Sequence, residues 1–151
     1  MYEDFLKERN FTQNVVKLFD IGEDKTRVGL ISFSTSVKAE FGLGQFNSKE
    51  EIVTNIGKVE FLGGNTNTGE ALAYIRTKAF PNQQTDRPRI AIVLTDGQSN
   101  NVEITVNEAN LAKSEGITIF VIGIGDQVDG KELETIASRP LSTYMFKIGS
   151  F

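Results

Sequence analysis

The chain has no cysteine and no histidine among its 151 residues. The first absence excludes a disulfide framework, a thiolate metal site and a Cys–His nucleophile pair. The second excludes imidazole ligands and a Ser–His pair. Any metal ion held here must therefore be held by oxygen. Apolar runs long enough to cross a bilayer are also lacking, so no membrane insertion is expected. Met1-Tyr2-Glu3-Asp4 opens the sequence with acidic residues where a secretory leader has a basic and apolar run, so a secretion address, if used, lies outside these residues. The formal charge is -4. Its 16 basic residues are spread along the chain, which argues against a nucleic-acid partner and suits a divalent cation better. Lack of cysteine leaves the compartment open, because a chain of this size has core enough to do without disulfides.

What is present is a sequence with 39% hydrophobic positions, enough for one sizeable core and read as a single domain over residues 1–151. Phe5, Phe11, Val15, Val16 and Leu18 recur at helical spacing over residues 3–19, and Asp20-Ile21-Gly22 closes the run. Thr26 to Phe33 and Val37 to Phe41 read as two strands joined through Ser34-Thr35-Ser36 in an antiparallel hairpin. Ser48 with Glu51 fits a capping box for a short helix to about Ile56. Thr68 to Ala79 carries an apolar stripe that Pro81 ends. Arg89 to Thr95 (RIAIVLT) is the kind of run buried on both faces of a parallel sheet. A helix over 103–115, a strand over Thr118 to Ile122, a helix over Lys131 to Ala137 and a strand over Tyr144 to Ile148 follow. The phenylalanines read mostly as core, and Glu50, Glu51, Asp126 and Asp129 as solvent-facing.

Strands alternating with helices in this way predict an α/β fold: a Rossmann-like, doubly wound, mostly parallel sheet with one antiparallel edge strand and helices on both faces. Ligands of such sheets sit beyond the carboxyl ends of the strands, and Asp96 stands one residue past the end of RIAIVLT. Two segments carry candidate chemistry, Gly63-Gly64-Asn65-Thr66-Asn67-Thr68-Gly69-Glu70-Ala71-Leu72 and Val93-Leu94-Thr95-Asp96-Gly97-Gln98-Ser99-Asn100. Hydroxyl residues at a helix start facing a carboxylate at a strand end offer hard oxygen ligands, suited to Mg²⁺, Mn²⁺ or Ca²⁺ and not to zinc. The plainer reading stays open from spacing alone: Thr68 an N-cap, Gly63-Gly64 a turn and Asp96-Gly97 a β-to-α turn. Gly123-Ile124-Gly125 and Gly42-Leu43-Gly44 lack the third glycine of a dinucleotide fingerprint and read as turns.

Taken in order, TRVGLISFS, GGNTNTGEAL, RIAIVLTDGQSN, TIFVIGIG and the helix from Glu132 to Ser138 closely resemble the von Willebrand factor type A (vWA, integrin I-like) family over the whole chain, nearest to domains of matrilin and non-fibrillar collagen type. The resemblance implies a secreted, extracellular, non-enzymatic adhesion module that binds a matrix protein such as collagen. It further implies a metal-ion-dependent adhesion site, in which a partner's carboxylate completes the coordination of a divalent cation. Thr66 matches the family's second-loop threonine and Asp96 its third-loop aspartate; Tyr2, Asn65, Asn67, Gln98 and Ser99 fall at the partner-binding rim. The family's first motif, Asp-x-Ser-x-Ser, occurs nowhere in this sequence, and the family's first strand and final helix are absent with it. The expectation is thus an incomplete vWA domain, truncated at both ends, with weak cation binding and a tendency to self-associate through exposed strand edges. A metal-independent vWA scaffold is the main alternative. An α/β phosphoryl-transfer or hydrolytic enzyme using Asp96 is the alternative from another class.

Overall fold

The computed structural model describes residues 2–80 and 87–149. Pro81 and the helix stop read from it lie outside the described residues. The element order is α1 (Tyr2–Val16), β1 (Leu30–Phe33), β2 (Val37–Phe41), α2 (Lys49–Ile56), α3 (Thr68–Tyr74) with a π-helical continuation (Ile75–Ala79), β3 (Arg89–Thr95), α4 (Val102–Ser114), β4 (Ile117–Ile124), α5 (Gly130–Ile136), α6 (Leu141–Tyr144) and β5 (Met145–Ile148). This is the α/β fold expected. Its strands fall into two sheets, the hairpin β1-β2 and a parallel sheet ordered β3-β4-β5. The chain divides into two compact units, one of residues 1–32 and 38–63, the other of residues 33–37 and 64–151.

In the first unit α2 follows from its sequence. Ser48 caps it, its side chain accepting from the Glu51 amide at 3.2 Å. Ile52 and Ile56, one turn apart, are both buried and meet Val16 of α1 and Phe41 of β2. Gln13 Nε2 donates to the Val53 carbonyl at 2.8 Å and ties α1 to α2. The apolar run read through Leu18 stops sooner: α1 ends at Val16 and Leu18 is 84% exposed. β1 begins at Leu30, four residues later than the composition of Thr26-Arg27-Val28-Gly29 suggested. Phenylalanine is also less buried than expected, Phe41 being the one buried member among the described residues.

In the second unit β3 and β4 pair in register from Arg89 against Ile117 to Thr95 against Gly123. Ala91 and Val93 of β3 and Ile117, Ile119 and Val121 of β4 are buried with Leu72, Ala109, Ala112, Leu133 and Ile136 of the helices. Glycine permits the closest approaches. A Cβ on Gly69 would stand 2.7 Å from Ile104 Cγ2, and one on Gly123 would stand 2.5 Å from Leu133 Cδ1. α3 thereby packs on α4, and α5 on β4. The other face of β3 departs from expectation, because Ile90 is 49% and Ile92 41% exposed. The near-continuous β-branched run thus proves to alternate, its Ala91, Val93 and Thr95 face buried and its Ile90 and Ile92 face exposed. α6 was not anticipated, its four residues being too short to show a helical period.

Candidate functional site

Asp96 stands immediately beyond Thr95, the last residue of β3. The turn that follows is tightened by the Thr95 hydroxyl, which donates to the Gly97 carbonyl at 3.0 Å and accepts from the Gly97 amide at 3.4 Å. Asp96 is exposed, and among the described residues no ion pair occupies its carboxylate. Thr66 lies across from this turn. Its hydroxyl oxygen is 3.8 Å from the point a Cβ on Gly97 would occupy, so the structure brings the second-loop threonine beside the Asp96-Gly97 turn.

Asn100 holds the two loops together. Its amide donates to the Thr66 carbonyl at 3.0 Å, its Oδ1 accepts from the Thr66 amide at 3.2 Å, and its Nδ2 donates to Asn67 Oδ1 at 3.2 Å. The hairpin tip supports the same loop. Thr35 Oγ1 accepts from the Asn65 amide at 3.1 Å, the Ser34 carbonyl from the Asn67 amide at 2.9 Å, and the Thr35 carbonyl from Asn67 Nδ2 at 2.5 Å. Asn67 occupies the N-cap position of α3 but makes no capping bond with its side chain. Thr68, read as a possible cap, is instead the first helical residue and is buried. Gly64 fits no other residue type: its φ is +119° and a Cβ would stand 2.6 Å from Thr35 Oγ1.

The remaining rim candidates separate. Gln98 is exposed and donates to Asp129 Oδ2 at 3.3 Å. Ser99 is buried, its amide donating to Glu132 Oε2 at 3.1 Å while its hydroxyl has no partner. Tyr2 belongs to the other unit, where its ring meets Phe61 edge-on at 5.8 Å between centroids. Asp129 corrects the solvent-facing reading given to it: it is half-buried and caps α5 through its Oδ1 on the Lys131 amide at 3.0 Å. Asn100, Thr35, Asp129 and Glu132 are the site's supports that the sequence did not single out.

The family model for the von Willebrand factor type A domain matches residues 1–151. The chain belongs to that family. Among curated vWA-containing relatives, it is 34% identical over 149 residues to the human collagen alpha-1(XXI) chain, covering 99% of this chain and 15% of that one. It is 34% identical over 152 residues to chicken (Gallus gallus) matrilin-1, covering 99% of this chain and 30% of the relative. The vWA chain thus spans well under half the length of these matrix proteins. Of solved structures, proximal thread matrix protein 1 from the mussel byssus, with a zinc-occupied MIDAS motif, superposes with a TM-score of 0.87 at 31% identity, covering 97% of this chain and 36% of that one.

The donor set at the two loops fits a divalent cation in part. A threonine hydroxyl beside the Asp96-Gly97 turn and an exposed carboxylate on that turn are hard oxygen ligands. Among the described residues no cluster of three or more acidic side chains adds to them.

Proposed function

We propose that this vWA domain, residues 1–151, is a non-catalytic, extracellular interaction module that binds a matrix protein such as collagen at the mouth formed by the 64–68 and 96–100 loops. The observation that carries this reading is the clamp built by Asn100, which fixes Thr66 beside the Asp96-Gly97 turn. Thr66 Oγ1 and the Asp96 carboxylate would hold a divalent cation, Mg²⁺, Mn²⁺ or Ca²⁺, and Asn65, Asn67 and Gln98 would form the rim that meets the partner. Such a cation supplies a positive centre for an acidic side chain of the partner. With two protein oxygens in the set, cation binding is expected to be weak, because Mg²⁺ and Ca²⁺ take six or more oxygens. The matrix identity of the collagen and matrilin relatives supports the choice of partner.

The test is retention of the domain on immobilised collagen in millimolar Mn²⁺. Retention is expected to fall at least tenfold on chelation and by about as much in Asp96→Ala, the range for losing a metal ligand or its support. Retention indifferent to both treatments would replace this reading with a metal-independent scaffold.

A further inference from the structure

The loop that carries Asp96 rests on the start of α5, where two acidic side chains, the N-cap Asp129 and Glu132 of the first turn, receive consecutive residues of the loop. Asp129 Oδ2 accepts from Gln98 Nε2 and Glu132 Oε2 from the Ser99 amide. Asp129 and Glu132 are three apart, so they project from neighbouring positions at the N-terminal turn. The two contacts differ in burial. Gln98 is exposed, whereas Ser99 is 6% and Glu132 5% exposed. A carboxylate this deep in a fold is costly unless it is hydrogen-bonded, and a backbone amide is equally costly to strand. Each therefore requires the other, which makes this bond a fixed distance between α5 and the loop.

The helix beneath it is itself fixed at both ends. Gly123 on β4 leaves room for Leu133 and Val128. Lys113 Nζ, from α4, donates to the Thr135 and Ala137 carbonyls at 2.7 and 3.2 Å, closing the last turn of α5. Ser138 Oγ accepts from the Ile119 amide at 2.8 Å, and the Ser138 amide donates to the Ile119 carbonyl at 2.9 Å, seating the segment after α5 on β4. The loop's other anchor, Asn100, faces Thr66 rather than α5. Asp96 thus lies in a loop held from one side by Asn100 and from the other by Glu132.

We infer that Glu132 is a positioning residue of the binding mouth: its buried carboxylate holds the Ser99 amide and so sets where the Asp96 carboxylate is presented. The inference rests on the proposed role of Asp96, and the experiment separates the two. Amide exchange of Ser99 in cation-free protein, followed by mass spectrometry, is compared in the wild type, Glu132→Ala and Glu132→Gln, alongside Mn²⁺ binding followed by electron paramagnetic resonance. Glu132→Ala is expected to speed Ser99 exchange about tenfold to a hundredfold while β3 and β4 stay protected. It is also expected to weaken Mn²⁺ binding about tenfold to a hundredfold. Glu132→Gln keeps an acceptor oxygen and is expected to restore most of both. Ser99 exchange and Mn²⁺ affinity unchanged in Glu132→Ala would overturn the inference, as would exchange that rises equally throughout β3 and β4. Asp96→Ala should abolish Mn²⁺ binding without altering Ser99 exchange. If the wild type binds no Mn²⁺, the cation reading of Asp96 falls, and Ser99 exchange still decides for or against Glu132.

Discussion

Among the described residues, eleven buried residues of the second unit, from β3, β4 and the helices and turn against them, form one continuous core, whereas in the first only Val16, Phe41, Ile52 and Ile56 are buried together. The helices differ in the same way. α4 buries Thr105, Ala109 and Ala112 along one face, while α1, longer by two residues, buries Val16 alone. Stabilisation scales with the apolar area taken out of water, about 25 cal/mol per Å², so the second unit is the better anchored. Every hydrogen bond that clamps Thr66 to the Asp96 loop lies within it. A binding mouth gains from this arrangement, because loops can be placed to a fraction of an ångström only by elements that do not themselves shift.

The largest expected effect tests that contrast in the cores. Ile119 and Ile52 are both fully buried, one in each unit. Ile119→Ala should cost about 4 kcal/mol and Ile52→Ala about 2 kcal/mol, the upper part and the lower end of the usual range, since a sparse core collapses more readily around the lost methyl groups. Urea midpoints give the totals and amide exchange gives their location. If Ile52→Ala exposes the β4 amides as strongly as Ile119→Ala, the two cores unfold as one and do not differ in anchoring.

The open side of the second unit is next. β3 ends its sheet, and Ile90 and Ile92 are exposed on it. An edge strand with an exposed apolar face is a template for another strand. The domain should therefore self-associate as its concentration rises, and Ile92→Lys should weaken that association at least tenfold, as expected for losing one buried isoleucine, worth about 1.5–3 kcal/mol. Sedimentation velocity reads both. A wild type monomeric to about 100 μM, well above the range of a specific dimer, would show this edge to be inert.

How much of this was legible beforehand follows from which interactions are local. RIAIVLT gave β3 to the residue, and Ser48 with Glu51 gave the start of α2, because strand composition and a cap are written in neighbouring residues. Thr66 and Asp96 were legible only through their place in a family pattern. Asn100 was within reach, since it lies in the segment that carries Asp96, but its partner Thr66 is 34 residues away. Glu132 was hidden for the same reason: nothing near it in sequence shows that Ser99, 33 residues earlier, will bring an amide to it. The exposed face of β3 was misread because a run of isoleucine and valine looks the same whether one face or two are covered.

The smallest expected effect is the sharpest test of the contrast between units. Ser48 and Asn101 do equivalent work, each accepting from the amide three residues on, at 3.2 and 3.0 Å. Replacing either by alanine should cost about 1 kcal/mol. The consequences should nevertheless spread differently. Ser48 precedes a helix whose neighbours are its own small core, so Ser48→Ala should raise exchange within α2. Asn101 follows directly on Asn100, whose backbone and side chain hold Thr66 and Asn67. Fraying the first turn of α4 frees Asn100 to move, and Asn101→Ala should therefore raise exchange at the Thr66 amide as well as at Ile104. Exchange confined to α4 would mean that Asn100 keeps its place without the cap, and that the mouth is held by the loops themselves rather than by the helix behind them.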